Sequence, residues 1–393
     1  MMHSRLRMNE TGAQESVHRA EVERLRVLHV GADPSPQSVN GVSMAVWGAA
    51  SRQAMLGHEV TLLLSEPPDG AGQRLAAQTG LNLITIPASG WSYDPERIQH
   101  LLEQAPPQVV HFHSVFILRQ ARLAAKLSNH GIPYVITPHG GISPIRLARG
   151  RLEKVLYSLL IERWRFHGAA AVTVVTPGEV DDVRSFVPRY RRGVRWIPNP
   201  VEESLLEAER WTGSAGPKRL VFLGRFDVYV KGIDILVEVA RHLRDVSIDL
   251  YGTEDSKTMA DMERLRRNLP PNVKFHAPIF GAEKIRVLTE ATMYIQTARA
   301  EGFPISVAEA MYLGVPCAVA GSLTLAQLFR DHDLGLLLPP EPQEAAEHIA
   351  QALANPELLR EWSQRAGAFA RRHFHPQTVA NRYLELYRSV LTN

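Results

Sequence analysis

The sequence contains one cysteine, no long uninterrupted apolar run and no dominant charge of either sign. The lone cysteine, Cys317, cannot form a disulfide within the chain, which excludes a disulfide-stapled scaffold and is typical of a reducing compartment. The most apolar stretch, residues 303–329, is broken by charged, glycine and proline residues, so it predicts helix, strand and turn instead of a membrane span. A net charge of +3 does not by itself indicate nucleic-acid binding.

The first 24 residues are polar and contain no apolar run of signal-peptide length. We therefore expect a flexible tail without export signal or membrane anchor, and a cytoplasmic protein. The rest of the 393 residues, of which 45% are hydrophobic over the whole sequence, can bury two cores of ordinary size.

Positive charge is concentrated in one part of the first half. Between Arg119 and Arg195 there are 14 Lys or Arg against 5 Asp or Glu, which leaves the remainder of the chain net negative. Residues 146–165 have the pattern of a basic amphipathic helix, with the basic residues Arg149, Arg151, Lys154, Arg163 and Arg165 beside Leu152, Leu156, Tyr157, Leu159 and Trp164. Such a helix can dock on an anionic membrane surface, or it can cover the sheet with its basic face in solvent; both interpretations stay open.

Short β-branched runs alternate with helical patterns, which predicts parallel sheets covered by helices on both faces. Strands are predicted in the first half at Val27–Val30, Val60–Leu64, Leu83–Ile86, Val109–Phe112, Tyr134–Thr137 and Ala171–Val175, with a helix from about Val42. The segment 196–216, rich in proline and glycine, interrupts the pattern and predicts a connection between two domains.

The alternation restarts in the second half. Strands are predicted at Leu220–Leu223, Val246–Tyr251, Val273–Phe275, Met293–Gln296 and Ala318–Val319, with helices beginning near Gly232, Lys257, Glu283 and Ser306. Helical patterns follow at 341–354 and 356–373, and a last helix from about Pro376 carries Leu384, Tyr387 and Leu391 on one face. We predict an α/β protein with two doubly wound domains, 25–200 and 201–374, the first completed by the C-terminal helix 375–393. Ligands then bind in the cleft beyond the carboxyl ends of the strands.

The strongest motif covers residues 300–311, which follow a predicted strand and open a helix. Glu301 lies in the loop and Glu309 about one turn inside the helix. Carboxylates accept paired hydrogen bonds from vicinal hydroxyls, so this arrangement suits sugar and ribose rings. The helix start at Ile305 and Ser306 offers backbone N–H groups to a phosphate. An ordinary surface helix also favours acidic residues near its start, so the residues alone leave both interpretations open.

A second motif, residues 223–232, follows the first strand of the second half. Arg225 and Lys231 lie six residues apart across a strand-to-helix loop and can converge on one diphosphate. Alternatively, Arg225 can pair with Asp227 while Lys231 is solvated.

Together these motifs make the sequence resemble a family 4 retaining glycosyltransferase of the GT-B fold, in which two Rossmann-like domains face a central cleft. The resemblance extends from about Leu25 to Leu391. It includes the glycine-containing loop 39–43, Thr137-Pro138-His139-Gly140-Gly141, the turn 197–201, the Arg225 and Lys231 pair, Tyr251-Gly252 and the pair of glutamates at 301 and 309.

The resemblance implies roles for these residues. Glu309 would bind the nucleotide ribose, Glu301 would bind donor-sugar hydroxyls, and Ile305 and Ser306 would bind the diphosphate through backbone N–H groups. Arg225 and Lys231 would neutralise that diphosphate, and Gly41 would let the first loop approach the donor across the cleft, because it lacks a Cβ. Further donor contacts are implied for Gly224, Gly252, Gly302 and Phe303. His139 would face the sugar near the acceptor, and the residues implied in catalysis are His139, Arg225, Lys231 and Glu301.

The sequence departs from the family pattern at Asn40 and Pro200, where glycine is common. Both positions leave the conformation of the acceptor-side loop open.

Two other site types fit poorly. Asp331-His332-Asp333 has the spelling of a metal-binding motif, but it lies where a polar turn is expected between a helix and residues 335–338. Neither strand-to-helix loop contains Gly-x-Gly-x-x-Gly followed by a suitably placed acidic residue, which argues against a dinucleotide-dependent dehydrogenase.

The sequence therefore predicts a metal-independent, retaining hexosyltransferase. We expect no resident cofactor, a nucleotide-diphosphate sugar as co-substrate, and a lipid-linked or polysaccharide acceptor in cell-surface polysaccharide assembly. A soluble acceptor is the nearest alternative; a nucleotide-sugar epimerase and a catalytically silent binding protein are more distant ones. Peripheral contact with an anionic membrane is expected, and nucleic-acid binding is not.

Overall fold

A computed structural model describes residues 24–37, 40–144, 147, 157–213, 216–254 and 258–392. Residues 1–23 of the predicted N-terminal tail therefore lie outside the described residues, as do Val39, Arg146, Arg149, Arg151, Leu152, Lys154, Leu156 and Lys257. No helix in the described ranges is long and apolar enough to cross a membrane.

The first half forms a parallel sheet of seven strands. These are β1 (Arg26–Val30), β2 (Glu59–Leu64), β3 (Asn82–Thr85), β4 (Val109–His113), β5 (Tyr134–Thr137), β6 (Ala171–Val174) and β7 (Val194–Trp196). The helices around it are α1 (Gly41–Met55), α2 (Gly70–Thr79), α3 (Pro95–Gln104), α4 (Leu118–Asn129), α5 (Arg163–Gly168) and α6 (Glu179–Phe186), with a π-helical turn at Ser158–Glu162 before α5.

The second half forms a parallel sheet of six strands after a 3₁₀ turn at Glu203–Leu205. The strands are β8 (Arg219–Leu223), β9 (Ser247–Tyr251), β10 (Val273–His276), β11 (Met293–Gln296), β12 (Cys317–Ala320) and β13 (Leu336–Leu338). The helices are α7 (Ile233–His242), α8 (Met259–Arg266), α9 (Gly281–Glu290), α10 (Ile305–Tyr312), α11 (Ala326–His332), α12 (Pro342–Leu353), α13 (Pro356–His373) and α14 (Pro376–Leu391).

Strand order is β3-β2-β1-β4-β5-β6-β7 in the first sheet and β10-β9-β8-β11-β12-β13 in the second. Each sheet reverses its winding between two central strands, β1 and β4 in the first and β8 and β11 in the second. Crevices that bind ligands open at such points, because successive loops leave the sheet in opposite directions there. The predicted α/β class with two doubly wound sheets is confirmed.

Helix α14 returns to the first sheet after the second sheet is complete. Tyr383, Leu384 and Tyr387 are buried in the same cluster as Val46 and Trp47 of α1. Leu391 does not share this buried face: it ends the helix and is exposed.

Two further differences concern Trp196 and Arg165. The sequence predicts that Trp196 lies in the connection between domains, but it ends β7, a three-residue edge strand that pairs with β6. A strand this short has too little alternation to be detected by periodicity.

The second difference is at Arg165, which was counted on the basic face of the amphipathic helix. Its side chain is fully buried and forms an ion pair with Glu162. It also donates to Gln120 Oε1 at 2.9 Å and to the Ser114 carbonyl at 3.0 Å. These partners compensate for burial of the guanidinium, so Arg165 fastens α5 to the sheet instead of facing a membrane.

Candidate active site

The predicted site residues lie in loops that leave the carboxyl ends of neighbouring strands. The loop after β8 carries Gly224, Arg225 and Lys231, and the loop after β11 carries Glu301, Gly302 and Phe303. On the opposite side of the cleft, Gly41 begins α1 and His139 follows β5.

Lys231 and Glu301 form an ion pair across the two loops of the second sheet. The alternative arrangement, with Arg225 paired to Asp227 and Lys231 solvated, does not occur. Lys231 pairs with Glu301, and Asp227 Oδ1 accepts from the Val230 N–H at 2.9 Å. Arg225 is exposed. The loop therefore presents one exposed guanidinium beside an ammonium that has a single carboxylate partner.

Helix α10 begins at Ile305 without a side-chain cap, because its N-cap residue is Pro304. The Val307 N–H already donates to the Pro304 carbonyl at 3.0 Å, so the N–H groups of Ile305 and Ser306 and the positive dipole end are what the helix start offers to an anion. Ser306 Oγ lies 2.7 Å from the buried hydroxyl of Tyr294, which also donates to the Leu223 carbonyl at 3.2 Å. These bonds fix the helix start relative to the end of β8.

Glu309 lies on the buried face of α10 and is only 3% exposed. Lys284 Nζ of α9 lies 2.8 Å from Glu309 Oε1 and 2.7 Å from Glu202 Oε2. Burial raises the pKa of Glu309, although the charge of Lys284 opposes that shift. Burial alone would lower the pKa of Lys284, but its two carboxylate partners outweigh burial and raise it.

The two halves approach each other through glycines. A Cβ added to Gly41 would lie 3.2 Å from Ile305 Cδ1, at the start of α10. A Cβ on Gly140 would collide with Gly302, and one on Gly302 would collide with the His139 carbonyl. These glycines let the backbones that carry His139 and Glu301 touch.

Two other glycines pack the loops of the second sheet. A Cβ on Gly252 would collide with the Gly224 carbonyl. Phe303, 9% exposed, packs edge to face on Phe374 at 5.5 Å. These contacts position the loops after β8, β9 and β11.

Asn40 caps α1, since its Oδ1 accepts from the Val42 N–H at 3.1 Å. Its Nδ2 donates to Asp33 Oδ2 at 3.0 Å. This residue, which departs from the glycine common in the family, therefore orders the first loop.

His139 is buried and ends a row of side chains that we call the histidine relay. His139 Nε2 lies 3.1 Å from His113 Nδ1, and His113 Nε2 lies 3.0 Å from His29 Nδ1. His29 Nε2 lies 3.0 Å from Gln53 Oε1 of α1. Burial lowers the pKa of His139 to about 3 and that of His29 to about 4, and it holds the pKa of His113 well below its usual value.

Backbone strain is concentrated in the loops after β4 and β5. Ser114, Phe116 and His139 have positive φ values of 72°, 62° and 50°. Such conformations cost free energy in non-glycine residues and are characteristic of functional sites.

The Asp331-His332-Asp333 segment has a structural role. Asp333 Oδ2 pairs with Arg365 at 2.7 Å, and Asp333 Oδ1 accepts from the Trp362 indole at 3.2 Å. Both oxygens thus join α11 to α13.

Sequence reasoning missed His29, His113, Gln53 and Lys284. The spacing of His111 and His113 was a usable signal, because alternate residues of a strand point to the same face. No local pattern connects Lys284 with Glu309, since they lie on different helices.

Two family models match the chain in succession. "Glycosyltransferase Family 4" matches residues 39–205 and "Glycosyl transferases group 1" matches residues 207–369. The two matches contain every predicted site residue and all strands of both sheets except β1.

Two curated relatives and one solved structure resemble the chain. A "Phosphatidyl-myo-inositol mannosyltransferase" of Mycobacterium leprae is 28% identical over 50% of this chain and 54% of its own. A "GDP-mannose:cellobiosyl-diphosphopolyprenol alpha-mannosyltransferase" of Xanthomonas campestris is 24% identical over 84% of this chain and 87% of its own. A sucrose-phosphate synthase from Thermosynechococcus elongatus superposes with a TM-score of 0.75 at 18% identity, covering 94% of this chain and all of the other. This chain thus spans about half of the first relative and most of the second.

Proposed function

Because the chain belongs to glycosyltransferase family 4, we propose that it moves a sugar from a nucleotide-diphosphate sugar to a hydroxyl acceptor, with retention of anomeric configuration. The donor is a co-substrate, and the reaction uses neither a resident cofactor nor a divalent metal ion.

One observation carries this proposal: Arg225, Lys231 and the uncapped start of α10 lie at the switch point of the second sheet. Two cations and a helix N-terminus supply the positive potential that a leaving diphosphate needs. In this role they replace the divalent ion that other enzymes use.

The remaining site residues bind the uncharged parts of the donor. Glu301 accepts hydrogen bonds from the sugar and Glu309 from the ribose. The Lys231–Glu301 ion pair changes on donor binding, because the diphosphate competes with the carboxylate for the ammonium. The sugar departs and is attacked on the same face through an oxocarbenium-like transition state, with His139 beside it.

The acceptor is a lipid-linked or polysaccharide glycan. The names of the two relatives support this class, since one acts on a phosphatidylinositol and the other on a diphosphopolyprenol-linked glycan.

A panel of labelled nucleotide sugars, incubated with lipid-linked and soluble acceptors in excess chelator, tests the function. We expect transfer from one donor to a lipid-linked acceptor, with an α-linked product if the donor is α-linked. Activity that requires added Mg²⁺ or Mn²⁺ contradicts the metal-independent mechanism. Donor isomerisation without an acceptor contradicts glycosyl transfer.

We further propose that the protein docks on an anionic cytoplasmic membrane surface. Leu160 and Trp164 are 68% and 48% exposed, and their spacing places them on one helical face. Both lie within the basic segment 119–195. Arg165 belongs to this segment but takes no part in the docking surface, because its side chain is buried.

Co-sedimentation with vesicles tests the docking. We expect binding to anionic vesicles at low salt, weakened by salt and by a Leu160→Ser/Trp164→Ser double variant. Phe280→Ser, which removes an aromatic side chain 62% exposed in the second half, is the matched control. Equal binding to neutral vesicles contradicts an electrostatic contribution.

A further inference from the structure

The histidine relay consists of neutral side chains, because burial keeps the pKa of each of its imidazoles below the usual range. A neutral imidazole carries one proton, so one ring nitrogen donates and the other accepts. Each ring in a row must therefore donate in the same direction as its neighbour.

Gln53 sets that direction. In this orientation of the Gln53 amide, Oε1 faces His29 Nε2 at 3.0 Å and accepts, so His29 carries its proton on Nε2, while the amide nitrogen of Gln53 is buried without a partner among the described residues. His29 Nδ1 then accepts from His113 Nε2, and His113 Nδ1 accepts from His139 Nε2. His139 is left with a proton on Nε2 and a bare lone pair on Nδ1.

That bare nitrogen is buried and has no hydrogen-bond partner among the described residues. The His139 carbonyl touches Gly302, the neighbour of Glu301, so His139 lies at the contact between the two halves. An unpaired buried acceptor costs free energy, and a ligand hydroxyl that donates to it removes that cost.

We propose that His113 and His29 are positioning residues that fix His139 as the Nε2–H tautomer, so that its Nδ1 accepts a hydrogen bond from a hydroxyl of the bound donor sugar. This inference rests on the proposed glycosyl transfer, because that reaction places a hydroxyl-bearing ring beside His139. The relay excludes the Nδ1–H tautomer, which would offer a donor to the sugar.

His111 provides a matched control. It is equally buried on the same strand, but its nitrogens bond to the Tyr387 hydroxyl at 2.6 Å and to Thr137 Oγ1 at 2.7 Å. It therefore lies beside the relay without being part of it.

Ring nitrogen NMR on the ¹⁵N-histidine-labelled protein tests the tautomer directly, without activity and without a variant. We expect His139 in the unmodified protein to show a protonated Nε2 and an unprotonated Nδ1. His113→Leu should release this preference, His113→Asn should keep it by supplying an amide oxygen, and His111→Asn should leave it unchanged. An Nδ1–H or mixed His139 in the unmodified protein overturns the relay.

Kinetics provide the second readout. His113→Leu should lower kcat roughly 10- to 100-fold with little change in donor KM, because a misplaced ring loses transition-state contacts, and His113→Asn should recover most of the loss. Equal kcat in His113→Leu and the unmodified protein overturns the positioning role.

Two further results separate the possible failures. If no nucleotide sugar is turned over, the proposed function fails while the NMR measurement still tests the relay.

Nitrogens of His29, His111 and His113 lie within 4.8 Å of one another. Stoichiometric Zn²⁺ in the purified protein that shifts their resonances would overturn the relay in favour of a metal centre.

Discussion

Individual residues of the donor side gain their properties from partners distant in the sequence. Glu309 is held by Lys284, which also binds Glu202 in the connection between the sheets. The buried ammonium between two carboxylates opposes the effect of burial, which raises the pKa of Glu309. Without Lys284, burial would favour the protonated form of Glu309.

We therefore expect Lys284→Met to weaken both folding and donor binding. Removing one partner of a buried ion pair costs about 3 to 5 kcal/mol of unfolding free energy. Urea unfolding measures the first effect, and calorimetric titration with the donor nucleoside diphosphate measures the second. Lys274→Met, at an exposed position of β10, is the control. Equal stability of the two variants would show that the Lys284 pairs contribute nothing.

Arg225 and Lys231 lie in the same loop but have different surroundings. Each alanine substitution should lower kcat by roughly 100- to 1000-fold, because charge on the diphosphate grows in the transition state. Thermal stability should distinguish the two variants. Arg225→Ala should change it little, because Arg225 is exposed, whereas Lys231→Ala should lower it, because the mostly buried Glu301 loses its partner. Steady-state kinetics and thermal unfolding check both expectations. A change confined to KM would indicate that the cations bind ground and transition states equally.

At the scale of elements, the site depends on how closely the loop after β5 approaches the loop after β11. The strained backbone at His139 and the glycines at 140 and 302 allow this contact. It places the end of the histidine relay beside Glu301.

Gly302→Ala should lower kcat by about 100-fold, because a displacement of about 1 Å between reacting groups has an effect of this size. Its Cβ meets the His139 carbonyl, and the two halves can relieve that collision by separating. Global stability should therefore change little. Gly90→Ala, whose Cβ meets nothing within 4 Å, is the control. Unchanged kcat would show that this contact is not required for turnover.

The whole molecule carries an unusual proton balance. His29, His111, His113 and His139 are neutral when folded, because burial lowers their pKa values, whereas the unfolded chain protonates them below pH 6.5. Stability contributed by these four groups is lost as pH falls through that window. Glu179 offsets the effect of one histidine on the pH dependence of stability. Burial raises its pKa to about 8, so the folded carboxyl keeps a proton that the unfolded chain releases above about 4.5.

At pH 5.5 these five groups together give the unfolded chain about three more protons than the folded protein. Because the histidines of the unfolded chain are only half protonated at pH 6.5, we expect the five groups to lower the unfolding free energy by about 3 kcal/mol between pH 6.5 and 5.5, at about 1.4 kcal/mol per pH unit for each fully engaged proton. Lowered pKa values of His58, His373 and His375 add to this dependence, and the raised pKa of Asp182, about 6, opposes it. Urea titrations at these two values measure it, and His113→Asn should reduce the pH dependence by one histidine. A flat profile would mean that the histidines are not held neutral.

The amino-acid sequence alone predicts the α/β class and the order of most elements, although it misses the short strands β7 and β13. The Tyr134–Thr137 and Met293–Gln296 strands and the helix Pro356–His373 have the predicted bounds. These features follow from hydrophobic periodicity, capping and turn residues, all of which act over a few neighbouring positions. The resemblance to a family added the roles of Glu301, Glu309, Arg225 and Lys231, which remain predictions.

Only the tertiary structure decided which distant side chains meet. It buried Arg165 against Glu162 and Gln120, placed Lys284 beside Glu309, and aligned His139 with His113 and His29. Burial and pairing depend on which faces of separate strands and helices come into contact, and no local periodicity encodes that contact. The polarity of the histidine relay is set in the same way, because it depends on one amide oxygen brought up by another helix.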